Sequence, residues 1–347
     1  MRKNVRKFAP VLILIPLLFI LTGCGQDPVT KSGMLLDTVV TVTLYDGTQE
    51  DLDAAFTAIS GWDDRLDAFS DTSEIGQINS ETPTVLSDEI YGLLKDSVTF
   101  SGTSSDAFDP VLGSLIDLWH IQDPEEREAP TQEQIDEARS HSGTNLLILD
   151  DSAKTAVLTD SEASVNLGAD AKGFVGDQIK TLLEERGVKH GLINLGGNIV
   201  LIGGKSDRED FTIGIDNPFD TSKDPIATLT LSDVSIVTSG DYQRWFTDSS
   251  GKKYHHILDP STGYPAESGL TQVVVVAESS ETADMLSTTL FVMGKEKGLE
   301  FLKEIDPDGK IGAVFTEKDG TVTVTENLKG KFELNTEYQD ELAVSWS

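Results

Sequence analysis

Asn194-Leu195-Gly196-Gly197-Asn198-Ile199-Val200-Leu201-Ile202 decides between two folds. A glycine pair after a short apolar run invites a dinucleotide-binding reading, in which a Gly-rich turn leads from a strand into a helix. That reading needs the spacing G-x-G-x-x-G and a helical pattern behind it. Here the spacing is absent, and Ile199-Val200-Leu201-Ile202 continues as strand. Working outward, residues 191–194, 199–202, 211–215, 227–231, 234–237 and 272–277 all read as strands. Upstream, residues 39–45 alternate as a first strand, and Leu52, Ala55, Phe56, Ile59, Trp62 and Leu66 recur at helical spacing. Further helices are expected over 87–101, 111–119 and 131–139, with a hairpin pairing 145–149 with 156–158. A helix over 171–186 opens at the turn 168–170 and closes at Gly187. A helix carrying Asp284 and a strand pair near 312–315 and 321–324 complete the chain. Strands in runs, rather than in strict alternation with helices, predict an α+β fold: one compact domain of mixed or antiparallel sheets with flanking helices.

The first 23 residues read as a targeting segment, with Arg2, Lys3, Arg6 and Lys7 ahead of an apolar run that is short for a membrane span. It ends in Leu21-Thr22-Gly23-Cys24, which resembles a bacterial lipobox, and Cys24 is the only cysteine, so no intramolecular disulfide is possible. The expectation is a signal peptide over 1–23, lipidation of Cys24, and a protein exported to the outer face of a bacterial membrane. A polar tether over 24–33, a catalytic domain over 34–335 and a tail over 336–347 follow. Without residues 1–23 the chain carries 23 Lys and Arg against 59 Asp and Glu, a formal charge of −36. Such acidity argues against a nucleic-acid partner. It also means that an anionic phosphate ligand needs a local cation to overcome the global field.

Two chemical patches lie one strand apart. Tyr254-His255-His256-Ile257-Leu258-Asp259-Pro260-Ser261-Thr262-Gly263-Tyr264-Pro265 gathers imidazole, carboxylate and hydroxyl groups at a Pro/Gly turn, and holds two of the five histidines. Of such a pair, one ring usually enters the core, which leaves the other for chemistry. In Ala283-Asp284-Met285-Leu286-Ser287-Thr288-Thr289, Asp284 and Thr288 stand four apart on a helix, so their oxygens share a face and suit a hard cation. A third patch, Asn166-Leu167-Gly168-Ala169-Asp170-Ala171-Lys172-Gly173, sits where a strand gives way to a helix, a place that suits phosphate, with Lys172 as a point charge. Thr238-Ser239-Gly240-Asp241-Tyr242 and Asp106-Ala107-Phe108-Asp109-Pro110 read, taken singly, as a turn and a helix end, and Phe69 as a packed aromatic.

Together and in this order, the patches resemble the FAD:protein FMN transferases, the ApbE family. The matching stretches are Phe69 with Ser73-Glu74-Ile75-Gly76-Gln77-Ile78-Asn79, Asp106 to Pro110 leading to Leu118-Trp119, Asn166 to Gly173, Asn194 to Gly197, Ser239 to Tyr242, His256 to Gly263, and Ala283 to Thr288 with Gly294. The resemblance implies a Mg²⁺ site made by the main-chain carbonyl of Ala169 with Asp284 and Thr288. It implies FAD contacts from Leu36, Phe69, Asp106, Ala107, Phe108, Asn166, Lys172 and His256, and catalytic roles for His256 and Asp284. The implied reaction moves FMN from FAD to a Thr or Ser hydroxyl of an acceptor flavoprotein and releases AMP. The same residues also fit an FAD pyrophosphatase, or a lipid-anchored flavin-binding protein without turnover. Three positions depart from the family pattern: Asn166 replaces an Asp, Asp170 replaces an apolar residue, and Leu36-Asp37-Thr38 replaces Met-Gly-Thr. Asp170 either faces solvent or adds a ligand to the metal. His256 is the candidate for orienting phosphate or shuttling the proton, with Asp241 or Asp259 to orient it, and the sequence assigns no base.

Overall fold

A computed structural model describes residues 27–78, 82–121 and 127–347; the expected signal segment, Cys24 and Asn79 lie outside them. Strands β1 (Val29–Leu35) and β2 (Thr38–Leu44) form an antiparallel hairpin in which Leu35 faces Thr38. The two residues between them, Leu36 and Asp37, both sit at φ 54°, the left-handed backbone that a two-residue hairpin turn of this kind requires. Helix α1 (Gln49–Leu66) starts at Thr48, which exchanges hydrogen bonds with Asp51 in a capping box. It buries Leu52, Ala55, Phe56 and Ile59 along one face. Then come α2 (Glu74–Ile78), β3 (Thr84–Val85), α3 (Asp88–Thr103), α4 (Gly113–Trp119), α5 (Gln132–Ser140), β4 (Leu147–Asp150) and β5 (Thr155–Leu158). Helix α6 (Ala171–Glu185) leads to β6 (Gly191–Leu195) and β7 (Asn198–Ile202). Gly196 and Gly197, at φ 65° and 101°, are the whole turn between these strands, so the pair makes a hairpin and opens no helix.

The chain continues through β8 (Phe211–Ile215), β9 (Ala227–Leu231), β10 (Ser235–Gly240), β11 (Trp245–Thr247), β12 (Lys253–His255) and β13 (Leu270–Ala277). Helices α7 (Ser280–Met293) and α8 (Lys295–Ile305) precede β14 (Gly312–Glu317), β15 (Thr321–Val324), β16 (Phe332–Leu334) and β17 (Ala343–Trp346). Nine strands form one sheet in the order β1-β2-β6-β7-β10-β13-β14-β15-β17, antiparallel except where β17 runs parallel to β15. Every residue of β13 is buried, as the run Val273-Val274-Val275-Val276 demands of a strand covered on both faces. Its period of two divides the core. Val273 and Val275 pack with Leu286, Leu290 and Phe291 of α7, while Val274 and Val276 pack with Ile213 and Leu229 of the small sheet β16-β9-β8. The helices α1, α6 and α7 thus lie on one face of the large sheet, where α6 and α7 meet. This is the α+β architecture expected.

Several boundaries move. The tether expected over 24–33 is shortened, because residues from Val29 onward form the edge strand β1. Its polar alternation hid it: Thr30 and Ser32 hydrogen-bond across to Thr43 and Thr41 at 3.0 and 2.9 Å on the exposed face. The expected tail over 336–347 likewise ends in β17, whose Trp346 packs edge-on against Phe332 at 6.1 Å. The loop read at Thr238-Ser239-Gly240 is the end of β10, and the stretch around His255 begins as strand β12. Helix α8 was not anticipated. Among the described residues, no helix is long and apolar enough to cross a membrane.

Candidate active site where helices α6 and α7 cap each other

The first turns of α6 and α7 touch through main chain. At Gly173 an added Cβ would overlap the Ser280 carbonyl and stand 2.7 Å from both Asp284 Cβ and Glu281 Cα, so only glycine allows this approach. Across the contact, Asp284 Oδ2 accepts a hydrogen bond from Gly173 N–H at 2.8 Å. One turn further along α6, Asp177 returns the arrangement: its carboxylate accepts from Ser279 Oγ at 2.7 Å, Ser280 N at 2.8 Å and Glu281 N at 3.1 Å. Each helix therefore supplies the acid that satisfies the free N–H groups of the other. The Ala169 carbonyl lies just ahead of α6, outside a ladder whose first acceptor is the carbonyl of Asp170, and it has no hydrogen-bond donor among the described residues.

Thr288 lies one turn beyond Asp284 on the same face. Its neighbours Ser287 and Thr289 turn their hydroxyls back onto the carbonyls of Asp284 and Met285, at 3.0 and 2.8 Å. Thr288 Oγ1 instead points toward Ser239 Oγ, 3.4 Å away at the end of β10. A main-chain carbonyl without a donor, a buried carboxylate and an outward hydroxyl form the all-oxygen set that a hard divalent cation takes. Among the described residues no three Asp, Glu, His or Cys side chains converge as a metal cage, so a cation here would depend on that mixed set.

Charge is concentrated at this crossing. Burial pushes the Asp284 carboxyl upward, while the Lys172 ammonium and the Gly173 N–H pull it back; the Asn198 amide favours its ionised form too, although its Nδ2 stops short of a hydrogen bond. Burial pushes Glu281 up to about 7, with Asp96, Asp177 and Asp284 adding repulsion. Asp170, which replaces an apolar residue of the family pattern, is fully buried rather than solvent-facing. It occupies the N-cap position of α6 without capping it, accepts a hydrogen bond from Ser97 of α3 through Oδ2, and leaves Oδ1 with no partner. Burial drives its pKa well above the carboxylate range, and Asp284 and Glu281 drive it further.

The histidines divide as expected. His255 is buried edge-on against Phe291 at 5.5 Å, donates through Nε2 to the Ala266 carbonyl at 3.0 Å, and accepts from Ile257 N–H at Nδ1 at 3.3 Å. Both nitrogens are used, and burial holds its pKa down at about 4. His256 is half-buried. Its Nδ1 lies 3.3 Å from the Arg244 carbonyl, which can only accept, so Nδ1 carries the proton and Nε2 presents a lone pair. Burial, with His255, Arg244 and Lys172 as like charges, holds its pKa at about 3, and the ring is neutral at pH 7. Lys172 is thus electrostatic neighbour to both His256 and Asp284, and ties the two patches into one site.

The remaining expected residues fall around this centre at different removes. Asn166 Oδ1 accepts from Gly168 N–H at 2.9 Å and so shapes the bend before α6, a task that asks for an acceptor and not for charge. Its own N–H donates to the Pro110 carbonyl at 2.8 Å, which brings the loop Asp106-Ala107-Phe108 alongside. Asp106 adopts φ 60° and is exposed, while the Phe108 ring is buried against Phe100 at 5.4 Å. Leu36 N–H donates to Asp63 Oδ2 at 3.0 Å, fixing the hairpin tip to α1, and Arg244 Nη2 donates to the Asp37 carbonyl at 3.3 Å. Phe69 is 64% exposed. Asp259 is committed to its own turn, accepting from Ser261 N and Oγ at 2.8 and 2.7 Å, and Asp241 lies 4.0 Å from Lys253. Sequence reasoning missed Arg244 and Asp177. An arginine two residues past Ser239-Gly240-Asp241-Tyr242 in so acidic a chain was the available signal for the first; the second has none.

Residues 36–315 match the sequence profile of the ApbE family. An FAD:protein FMN transferase of Treponema pallidum is 33% identical over 272 residues, 73% of this chain and 74% of that protein. One from Klebsiella pneumoniae is 30% identical over 312 residues, 89% of this chain and 95% of that protein. The crystal structure of the ApbE protein from Thermotoga maritima matches the fold with a TM-score of 0.79 at 27% identity, over 88% of this chain and 99% of that one.

Proposed function

Since the chain belongs to the ApbE family and is an FAD:protein FMN transferase, we propose that it uses Mg²⁺ at Ala169, Asp284 and Thr288 to move FMN from FAD onto a Thr or Ser hydroxyl of an acceptor flavoprotein. The observation that carries the metal assignment is the Ala169 carbonyl, which has no hydrogen-bond donor among the described residues and precedes the helix start that Asp284 grips through Gly173 N–H, with Thr288 one turn beyond Asp284 on α7. Bound there, Mg²⁺ neutralises pyrophosphate charge as a Lewis acid. Lys172 adds a second positive charge within an acidic protein, which answers the electrostatic problem set by the composition. Leu36, Phe69, Asn166 and the Asp106–Phe108 loop are the proposed FAD contacts.

In the reaction the acceptor oxygen bonds to the phosphorus on the FMN side, the bridging P–O bond breaks, and AMP departs. His256 is proposed to take the hydroxyl proton. With Nδ1–H held by the Arg244 carbonyl, its Nε2 can accept from a hydroxyl but has no proton to donate to a phosphate. Incubation of the purified protein with FAD, Mg²⁺ and a Thr-containing acceptor tests the whole reading. Flavin fluorescence on the acceptor in a denaturing gel, matched by AMP release, is the expected result; FMN and AMP with an unlabelled acceptor would mean hydrolysis, and neither product would mean binding alone.

Export and lipidation at Cys24 belong to the same proposal. Support comes from β1, whose first residue, Val29, follows Cys24 by a few residues, so at ~3.5 Å per residue an anchored fold would stay within about 20 Å of the lipid. Cys24→Ala should move the protein from the membrane to the soluble fraction; persistence in the membrane would refute the anchor.

A further inference from the structure

A buried carboxylate costs free energy unless its oxygens find partners, and Asp170 has found only one. It is fully buried, receives a single hydrogen bond from Ser97, and leaves Oδ1 unpartnered. A partner was within reach by default. Asp170 stands at the N-cap of α6, where an aspartate ordinarily accepts from the second or third N–H of the helix. That N–H, of Gly173, is taken by Asp284. The groups that face Asp170 are therefore Ser97 from α3, Asp284 and Glu281 from α7, and Lys172 from its own helix: two further acids against one ammonium. For packing alone, an apolar side chain would fill the position without this cost.

We infer that Asp170 is a positioning residue of the cation site, a second buried carboxylate beside the Ala169 carbonyl that tightens the hold on a divalent ion. The inference rests on the proposed Mg²⁺ site and deepens it. Asp284 serves α6 and the cation at once; the unpartnered Asp170 Oδ1, on the residue next to the Ala169 carbonyl, offers a further carboxyl oxygen. Hard-cation sites take six to eight oxygens, so an added carboxyl oxygen raises affinity.

The test uses Mn²⁺ as the probe and reads its binding directly, by loss of the free-ion electron paramagnetic resonance signal, on the whole protein without FAD. Asp284→Asn should lose binding at least a hundredfold, and Asp170→Asn at least tenfold. Ser97→Ala removes the one hydrogen bond to Asp170 but keeps its carboxyl group, and should stay within threefold of the parent. Asp170→Ile, which leaves no buried polar atom, guards against misfolding of the Asn variant and should match it; circular dichroism checks that each variant is folded. Binding unchanged in both Asp170 variants while lost in Asp284→Asn overturns the inference alone. Equal losses in Ser97→Ala and Asp170→Asn make Asp170 merely structural and overturn it too. Undiminished binding in Asp284→Asn sinks the metal site itself, and the inference with it.

Discussion

Gly173→Ala tests the helix crossing with one methyl group. The nearest obstacles, the Ser280 carbonyl, Glu281 Cα and Asp284 Cβ, are main chain or bonded directly to it, so no side chain can swing aside. To bring the 2.7 Å approaches out to ordinary contact, α6 and α7 must separate by on the order of 1 Å, and a gap of that size forfeits roughly a quarter to a half of each facing dispersion contact. Overpacking of this kind costs about 1–3 kcal/mol, and the rigid surroundings place it near the upper end. Alanine returns up to ~1 kcal/mol in helix propensity, which leaves a net loss of about 2 kcal/mol. In a urea titration the midpoint should fall while the slope is unchanged. The same separation draws Asp284 off the Gly173 N–H, so Mn²⁺ affinity should drop at least tenfold in the folded variant. A parent-like midpoint together with parent-like Mn²⁺ binding would show that the two helix starts are not held at this distance.

His256→Ala should slow flavin transfer at least a hundredfold with little change in stability; unchanged kinetics would remove the ring from the reaction. His255 has an ordinary value of 6.5 and is held at about 4, so the unfolded chain binds its proton first as pH falls. Its share of stability is complete above pH 6.5 and is lost between there and about pH 4, while Glu281, raised from 4.5 to about 7, works in the opposite sense, weakening the fold as pH rises through that range. His255→Gln should accordingly flatten the acid-side decline in urea midpoints measured from pH 7 to pH 4.5, and parallel curves would contradict the assignment. Asp37→Gly relieves one left-handed residue in the hairpin turn and should stabilise the fold by about 1 kcal/mol, read as a higher midpoint; a lower one would mean that the Asp37 side chain is needed.

What the sequence disclosed and what it withheld follow the range of the forces involved. The β-rich run behind Gly196-Gly197 excluded a nucleotide-binding turn because local pattern alone decides that question, and the two glycines do form a hairpin. Asp284 and Thr288 were legible as a pair because helical spacing is a local rule. Strand β1 was not, since an edge strand needs partners only for its main chain and can carry Thr30 and Ser32 outward, with Lys31 turned to Asp53 of α1, without a hydrophobic signature. Strand β17 escaped for the same reason. The exchange of caps between Asp177 and Asp284 joins residues more than a hundred positions apart, and no window of sequence contains it. Asp170 could be singled out as unusual, but whether it faced water or protein was a matter of tertiary packing.

The strand order also acts as a ruler. Strand β1 is the outermost and β10, which ends at Ser239 beside Thr288, is the fifth, so four interstrand steps of ~4.8 Å put the reaction centre roughly 20 Å across the sheet from the edge where the chain would leave the lipid. With the proposed anchor at Cys24 and the sheet standing upright on it, an acceptor whose target hydroxyl protrudes to that height would meet the flavin directly. One whose hydroxyl lies flush with the headgroups would have to wait for the enzyme to tip over, and lengthening the stretch ahead of Val29 should favour the second kind of acceptor over the first.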